Sequence, residues 1–513
     1  MDSIKELDVI IIGAGFAGIC ALIKMRKKFP KANIAVFEKG DNVGGTWAKN
    51  TYPALSCDIP SQLYSYSFAL NPDWSTTYAS QPEILSYIQG VVASSDCSGY
   101  IHLKQECVSA SWLEDEFLWR VNLVDRESGR TYVKHARSLI TAVGFCDVPN
   151  GPEEILGFEK FQGHVFHSAR WDHACDFNNK RVAVVGNGCS ANQFIPALVN
   201  DNRAPIQSLV QFVRSPHWIA PKEDGPVSSW KRWAFRNIPL TNRLWRYGLA
   251  LKLDLVFMVF KSSRAGNMLR SQIQKSIASH MKRVAPPEYH SILVPEFDFG
   301  AKRPVLDHGY LQLLHDERVK LVRSPSLAVV GPRELRSDDG ETFEADILIL
   351  ANGFKTQMPL TPMKLTGSNG LDLPGIWQQD ENYPSAYMGV SVTGFPNLFL
   401  LTGPNTLPSG HSTLVGIECS VTYISRVLER LFSDPTLSRN MKIEATAAAQ
   451  KSFNDWIQRK LQSLVYSEKV PNWYIDRRTG RNTLIWPGSQ VEFWWSRCIE
   501  KVKWSDFQVE ARG

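Results

Sequence analysis

Two glycine-rich segments have the residue types and spacing that bind a dinucleotide. The first, GAGFAG, follows the β-branched run Leu7–Ile12, which predicts a buried strand. Gly13 allows the tight turn, Gly15 lets the backbone approach a pyrophosphate, and Gly18 permits close packing of helix on strand. Phe16 begins the predicted helix, and a helix N-terminus attracts phosphate charge. The segment therefore predicts a nucleotide site.

An acid ends the strand that follows this helix. The helix runs through Met25, and the next predicted strand is Asn33–Phe37. Glu38 ends that strand. An acid at this position of a dinucleotide-binding motif accepts hydrogen bonds from the ribose diol. Lys39 follows it and is a further candidate contact. Because strand, glycines, helix and acid occur together, an empty glycine turn is the weaker interpretation.

The same pattern returns near the middle of the chain. The strand-like run Arg181–Val185 is followed by GNGCSA, and the next predicted strand, Ser208–Val213, ends in Arg214 rather than in an acid. A guanidinium suits a 2′-phosphate, which a carboxylate would repel. We therefore predict FAD at the first site and NADPH at the second, although Arg214 alone is also compatible with a solvated surface charge. The candidate NADPH contacts here are Gly186, Gly188, Ser190, Ala191, Gln193, Arg214 and Ser215.

Two further strands are expected to return into these units. Ser138–Phe145 and Asp346–Phe354 are each a buried run that ends in a glycine-containing turn, and Pro149–Pro152 is a turn and linker signal. Strands that alternate with helices predict an α/β fold. We expect two Rossmann-like dinucleotide-binding domains, for FAD and NADPH, with a helical insertion in the second.

Composition and charge favour a globular enzyme of the cytoplasm. The 513 residues carry 57 basic and 51 acidic side chains, and no dense basic run predicts nucleic-acid binding. Nine scattered cysteines form no Cys-x-x-Cys pair, which fits reduced thiols and argues against a zinc ribbon or a dithiol reductase. No metal site is predicted, and no apolar run is long enough to span a bilayer.

A further motif lies between the two glycine segments. Phe161-x-Gly163-x-x-x-His167-x-x-x-Trp171-Asp172 matches every fixed position of the fingerprint F-x-G-x-x-x-H-x-x-x-W-[P/D]. The chain thus resembles the Baeyer–Villiger monooxygenase family, and the resemblance extends over nearly the whole sequence. In that family the fingerprint histidine lies away from the flavin, so the resemblance implies hinge or packing roles for His167 and Trp171.

Other segments also resemble the family. GGTW is followed by Tyr52-Pro53, Ala54 and Asp58, and Ala54 departs from the family's Gly or Met. PNWY resembles part of a mobile loop over NADP⁺, although the residues after it depart from the pattern. The resemblance adds candidate cofactor contacts at Gly45, Thr46, Trp47, Asp58, Tyr64, Asn405 and Trp473.

The resemblance also implies a reaction. NADPH reduces FAD, a C4a-peroxyflavin forms with O2, and one oxygen atom is inserted beside a ketone carbonyl to give an ester or lactone. In GAKRP, Arg303 is then the expected catalytic cation, with Asp58 holding it and Lys302 assisting Arg214 at the 2′-phosphate. Arginine suits this role because it cannot release its proton. Without the family pattern, Lys302 and Arg303 would read as surface basics.

The expected domain division is discontinuous. The FAD-binding domain takes residues 1–150 and 357–513, and the NADPH-binding domain takes 151–221 and 299–356. Residues 222–298 form the helical insertion. Within it, Trp230–Arg264 contains eight basic residues and the apolar run Leu249–Phe260. The favoured interpretation is a buried helix with solvated flanks, and the alternative is peripheral contact with an anionic membrane.

Several alternatives stay open at this point. A related flavin enzyme could oxidise nitrogen or sulfur, hydroxylate or epoxidise, whereas a flavoprotein reductase or a non-catalytic flavin-binding protein fits less well. We expect a bulky lipophilic or natural-product ketone as substrate. The aromatic stretch Val491–Trp495 and Trp504 either line a large apolar pocket or pack in the core.

Overall fold

The computed structural model describes residues 6–379, 382–432, 441–467 and 470–511. The strands are β1 (Leu7–Ile12), β2 (Ile34–Phe37), β3 (Ile101–His102), β4 (Gln105–Leu113), β5 (Leu118–Asp125), β6 (Thr131–Thr141), β7 (Ile155–Leu156), β8 (His164–His167), β9 (Arg181–Val185), β10 (Ser208–Val213), β11 (Ile219–Pro221), β12 (Val305–Asp307), β13 (Val319–Arg323), β14 (Leu327–Gly331), β15 (Glu334–Ser337), β16 (Thr342–Glu344), β17 (Ile347–Leu350), β18 (Lys364–Thr366), β19 (Leu398–Leu400), β20 (Met441–Ala445) and β21 (Phe507–Ala511). The helices are α1 (Phe16–Lys28), α2 (Thr46–Lys49), α3 (Gln81–Ser94), α4 (Cys189–Val199), α5 (Ser229–Asn237), α6 (Thr241–Val256), α7 (Arg264–Val284), α8 (His290–Leu293), α9 (Tyr310–Leu313), α10 (Leu373–Gln378), α11 (Thr413–Phe432), α12 (Ala447–Leu461) and α13 (Gln490–Trp494).

The first sheet carries the N-terminal glycine turn. Its strand order is β18-β4-β5-β6-β1-β2-β3, and β19 also pairs with β6. β1 lies parallel to β2 and β6, whereas β4, β5 and β6 form an antiparallel meander. β1 is buried almost throughout because helices cover one face of the sheet and apolar side chains fill the other. This arrangement fixes the turn after β1 at the carboxyl edge of the sheet.

The second sheet carries the other glycine turn. Its five strands are parallel, in the order β13-β10-β9-β17-β8. The strand predicted at Asp346–Phe354 is present as β17 and lies beside β9. The strand predicted at Ser138–Phe145 is part of β6, which begins earlier and ends at Thr141. The carboxyl ends of β1 and β9 thus each open onto a glycine turn, as doubly wound sheets require for ligand binding.

Helices α5 to α8 lie between β11 and β12, in the segment where the sequence predicts an insertion. The prediction of a buried helix over Leu249–Phe260 is correct for only part of the run, in which Phe257, Val259 and Phe260 are buried. Helix α6 ends at Val256, and Leu251, Leu255 and Met258 are exposed. The error arose because a continuous apolar run does not show which of its side chains find a packing partner. Across the described part of the chain, no helix is both long and apolar enough to cross a membrane.

Candidate active site

A cavity of about 670 Å³ opens where the two glycine-bearing halves meet. It is lined by the first glycine turn, the GGTW loop, the segment around Arg303, and one side of α6. Its volume lies within the ordinary range of ligand sites. The predicted site residues that line it are Gly13, Gly15, Phe16, Glu38, Lys39, Gly45, Thr46, Trp47, Asp58, Tyr64, Lys302, Arg303 and Trp473.

The first glycine turn is packed too closely for any larger side chain. Gly13 has φ +104°, and a Cβ there would lie 2.7 Å from the carbonyl oxygen of Ala142. A Cβ on Gly18 would lie 1.8 Å from the carbonyl oxygen of Gly13. Gly18 does not line the cavity, so its glycine serves the contact between helix and turn. The peptide after Gly15 begins α1, whose N-terminal amides face the cavity.

Glu38 is buried at the end of β2. Its carboxylate accepts hydrogen bonds from the backbone nitrogens of Ala14 (2.7 Å) and Gly40 (2.8 Å), and the side chain lines the cavity. The carboxylate is therefore held rigidly in the position where a ribose diol is expected. Lys39 lies beside it and pairs with Asp147 at 2.6 Å.

The GGTW loop covers the first turn. Gly45 has φ +56°, and a Cβ there would lie 2.9 Å from the Cα of Gly15. Thr46 begins the short helix α2, and the indole nitrogen of Trp47 donates to the hydroxyl of Tyr64 (2.9 Å). The Tyr64 ring contacts the ring of Phe16 edge-on, with 5.5 Å between centroids. The loop and the turn thus form one aromatic-walled part of the cavity.

Arg303 and Asp58 lie next to each other in the wall of the cavity. A guanidinium nitrogen of Arg303 lies 3.4 Å from Asp58 Oδ2, and the ring of His308 lies 3.9 Å from Asp58 Oδ1. Burial alone would raise the pKa of Asp58, but the nearby His308 and the charge of Arg303 bring the pKa below its ordinary value. Asp58 is therefore a carboxylate at neutral pH, and Asp58 Oδ1 is buried without a hydrogen-bond partner among the described residues.

The second glycine turn resembles the first at its first glycine, which is tightly packed. It differs at its second glycine, which faces open space. Gly186 has φ +112°, and a Cβ there would lie 2.4 Å from the carbonyl oxygen of Ala351. A Cβ on Gly188, however, would meet nothing within 4 Å, so open space lies in front of the N-terminus of α4. Ala191 is fully buried at the position of the third glycine. Phosphate oxygens have room to approach this turn.

Two cations lie beside this second turn. Lys302 Nζ donates to Ser215 Oγ (2.6 Å), and Arg214 donates to Glu154 (2.7 Å). Burial, together with the charge of Arg214, lowers the pKa of Lys302 to about 8. Glu154 also accepts from Arg477 at 2.7 Å, an arginine that the sequence prediction missed. A basic cluster therefore surrounds the expected position of a 2′-phosphate.

Nine predicted contacts do not line the cavity, namely Gly18, Gly186, Gly188, Ser190, Ala191, Gln193, Arg214, Ser215 and Asn405. Two of them, Gln193 and Asn405, bond to neighbouring loops. Gln193 bonds to the backbone of Ser56 (3.0 Å) and accepts from Tyr52, so it joins α4 to the loop before Asp58. The amide of Asn405 donates to the carbonyl oxygens of residues 482 and 485. Ser190 lies in the first turn of α4, away from the cavity lining. The structure thus places Gln193 and Asn405 as supports of neighbouring loops.

Trp473 lines the cavity beside Phe145. Its ring stacks on Phe145, with centroids 5.8 Å apart and planes at 11°, and its carbonyl accepts from Thr356 and Gln357. His167 and Trp171 lie elsewhere, since neither lines the cavity. Burial lowers the pKa of His167 to about 4, and Trp171 packs among aromatic rings. This placement agrees with packing roles for the fingerprint residues.

The C-terminal aromatic stretch does not line the cavity. Val491, Trp494 and Trp495 are exposed, whereas Phe493 is buried against Trp486. The stretch therefore neither lines a pocket nor packs in the core as a whole, because α13 presents only one face to the protein. Trp504 packs on Phe507 instead.

Sequence reasoning missed the residues behind Asp58. His308 lies between Asp58 and Lys222, and Lys222 Nζ is 3.4 Å from His308 Nδ1 and 3.3 Å from Ser56 Oγ. The position of His308 after Lys302-Arg303 was the only available signal, since a lone histidine carries little information. These side chains fix the carboxylate that faces Arg303.

The fold and the cavity together define a two-dinucleotide oxidoreductase. Glu38 and the first turn fit the ribose and pyrophosphate of FAD, and the open second turn with its cations fits NADPH.

The flavin-binding monooxygenase-like family matches residues 6–219. The chain is 33% identical to a Baeyer-Villiger monooxygenase of Pseudomonas aeruginosa over 95% of its length and 89% of that protein. It is 31% identical to a Baeyer-Villiger monooxygenase of Streptomyces coelicolor, covering 98% of this chain and 93% of that one.

Solved structures agree with these relatives. Cyclohexanone monooxygenase from Rhodococcus sp. Phi1 bound to NADP+ superposes with a TM-score of 0.84 at 25% identity, over 99% of this chain and 100% of that one. OTEMO in complex with FAD and NADP gives 0.82 at 25% identity, over 98% and 99%. The chain belongs to the Baeyer–Villiger monooxygenase family. The predicted fold class, the enzyme class and the cofactors FAD and NADPH are confirmed.

Proposed function

We propose that this enzyme inserts one oxygen atom of O2 beside the carbonyl of a bulky lipophilic ketone, giving an ester or lactone. The observation that carries the proposal is the pair of Arg303 and Asp58, which lies inside the cavity between the two glycine turns. A fixed cation is needed there because negative charge develops on oxygen in the reaction.

The cofactors are assigned to the two glycine turns, of which the first lines the cavity and the second lies beside Lys302, outside the cavity lining. Gly13, Gly15, Glu38 and the GGTW loop would hold FAD, and Gly188, Arg214, Ser215 and Lys302 would hold NADPH. When bound, NADPH supplies hydride and FAD supplies the oxygenating chemistry. The domain boundaries follow this division: FAD-binding at 1–150 and 357–513, NADPH-binding at 151–221 and 299–356, and an insertion at 222–298.

Arg303 and Asp58 act as a unit in this proposal. The guanidinium donates hydrogen bonds to oxygen anions in the cavity and keeps its proton throughout. Asp58 holds the guanidinium in place, while His308 and Arg303 favour the ionised form of Asp58 by lowering its pKa. Lys222 contacts His308 from the other side. Arg303 therefore touches the reacting atoms, whereas His308 is a positioning residue.

The apolar wall of the cavity supports a lipophilic substrate. Leu249, Leu253, Val256 and Phe260 line the cavity from α6 and the turn after it. Apolar side chains exclude water and favour the hydrocarbon part of a ketone. We place the enzyme in the cytoplasm.

The test is product analysis with isotopic oxygen. The FAD-loaded enzyme is given NADPH, a panel of bulky cyclic and steroid-sized ketones, and ¹⁸O2. An ester or lactone carrying one ¹⁸O atom supports the proposal. Oxidation of amines or sulfides with no turnover of any ketone would contradict it, as would stoichiometric release of H2O2 with every ketone tried.

A further inference from the structure

An apolar stripe runs along the outer side of α6. Leu240, Leu244, Tyr247, Leu251, Leu255 and Met258 follow each other at intervals of three or four residues, and all are exposed. Of these, Leu244 and Leu255 have 64% and 65% of their surface exposed. Leu244, Tyr247, Leu251 and Leu255 lie within α6, where this spacing puts them on one face of the helix. Leu240 directly precedes the helix, and Met258 lies in the turn that follows it. We call the six side chains together the α6 stripe.

The inner side of the same helix is held firmly, so the exposure does not reflect poor packing. Arg246 is buried and donates to the carbonyl oxygens of residues 62, 63 and 65 at 2.7–3.2 Å. His411 contacts the carbonyl of Ala250 at 3.2 Å, and Asp254 accepts from the backbone nitrogen of Gln490. The orientation of α6 is therefore fixed with its stripe toward solvent.

Tryptophans and cations flank the stripe. Trp230 and Trp233 of α5 are 66% and 55% exposed, and Trp245 is 43% exposed. Residues 229–275 contain ten Lys or Arg and one acid, Asp254, which is bound to Gln490. Three of the ten pair with acids outside the segment, namely Arg236 with Asp73, Arg246 with Glu418 and Arg270 with Asp298, and the others leave an excess of positive charge. An exposed apolar area of this extent marks an interaction site. Tryptophan and basic residues around an apolar helix face are typical of contact with an anionic bilayer.

Charge also selects among the occupants. A second copy of the chain would bring another cationic face against this one, and like charges disfavour that contact. A bilayer that contains anionic lipid offers opposite charge and an apolar interior at once. Because Leu249, Leu253 and Val256 on the other side of α6 line the cavity, the docked helix would separate the lipid from the substrate site.

We propose that the α6 stripe and the α5 tryptophans dock this enzyme reversibly on the surface of anionic membranes. The helix lies in the interface plane, with its leucines among the lipid chains and Lys231, Arg243 and Lys261 near the headgroups. The further consequence, that ketones dissolved in the membrane reach the cavity beside α6, rests on the proposed function. The docking itself does not.

The experiment is co-sedimentation of the FAD-loaded enzyme with two kinds of vesicle, phosphatidylcholine alone and phosphatidylcholine with 30% phosphatidylglycerol. The second kind carries on the order of one negative charge per three lipids, and the first carries no net charge. We expect binding to the anionic vesicles at low salt and release at high salt. The double variant Leu251→Glu/Leu255→Glu should lower the partition coefficient at least about tenfold, because two buried leucines are replaced by charges.

The matched control is Leu156→Glu. Leu156 lies in β7, outside the α6 stripe, and 66% of its surface is exposed, so its replacement should leave vesicle binding unchanged. Flavin absorbance and turnover of a water-soluble ketone report folding and catalysis separately in every variant. Wild-type enzyme that stays in the supernatant with both vesicle types would overturn the proposal. So would equal sedimentation of wild type and the double variant, or a wild-type dimer that the double variant dissociates without any vesicle binding.

Discussion

The two glycine turns share a strand-turn-helix plan and differ in what covers them. The GGTW loop packs directly against the first turn, since a Cβ on Gly45 would lie 2.9 Å from the Cα of Gly15. The second is open, because a Cβ on Gly188 would meet nothing within 4 Å. The difference suits a cofactor that stays bound during many turnovers at the first turn and one that exchanges at the second.

The charged residues at the two turns differ in the same way as the turns themselves: the one at the first turn is buried, and the one at the second is partly exposed. Glu38 is buried and fixed by two backbone nitrogens, whereas Arg214 is half exposed and shares Glu154 with Arg477. Lys302 and Arg303 divide between the turns, since Lys302 contacts Ser215 and Arg303 faces Asp58. Because the two neighbouring side chains have different partners, one dipeptide supplies both sites.

The largest expected effect separates these two neighbours. Arg303→Ala should lower ester formation about 100- to 1,000-fold, because a charge-stabilising donor is lost from the reacting centre. Reduction of FAD by NADPH should continue at a similar rate, measured anaerobically by flavin absorbance. Lys302→Ala is the control: it should weaken NADPH binding and leave the yield of ester per NADPH unchanged. Equal ester yield in Arg303→Ala would refute the catalytic assignment.

The next effect concerns the cation at the second turn. Arg214→Ala should raise the KM for NADPH about 10-fold or more, since a charge-assisted contact is worth about 1.5–3 kcal/mol. The KM for NADH should change little, because NADH has no 2′-phosphate. Arg203→Ala removes an exposed arginine that pairs with Asp201 and serves as control. A parallel rise for both nucleotides would remove Arg214 from the phosphate site.

The pH dependence of NADPH use should report Lys302. Its pKa of about 8 means that the ammonium is present below pH 8 and is lost above it. We expect kcat/KM for NADPH to fall above pH 8, by up to about tenfold per pH unit, because this parameter follows the free enzyme. Lys302→Arg should move the fall to higher pH. An identical fall with NADH would assign the titration to another group.

The smallest effect lies in the loop that joins the two halves. Ala54 has φ +60°, a left-handed conformation that costs an alanine about 1–2 kcal/mol. Ala54→Gly should therefore raise the free energy of unfolding by about 0.5–1 kcal/mol, after the greater entropy of glycine in the unfolded chain is counted. Urea unfolding of the FAD-loaded enzyme measures it, and Ala79→Gly, at a buried alanine without positive φ, should destabilise. A destabilised Ala54→Gly enzyme would show that the loop is relaxed.

Much of the first site could be predicted because its signals are local. A strand, three spaced glycines and a terminal acid specify a βαβ nucleotide turn within one short segment. The pairing of Arg303 with Asp58 came instead from the family resemblance, since the two residues are far apart in the chain. His308 and Lys222 were missed because neither belongs to a motif, and Gln193 and Asn405 proved to support loops.

The sequence by itself determined the two nucleotide turns, the strands that lead into them, and Glu38 and Arg214 as the charged residues that end the following strands. Local steric rules and hydrogen-bonding patterns suffice for such elements. Only the tertiary structure decided which side of α6 is buried, since Leu249 and Leu251 are equally apolar in sequence. Burial depends on whether another element packs against a side chain, and here Leu249 meets the cavity whereas Leu251 meets solvent.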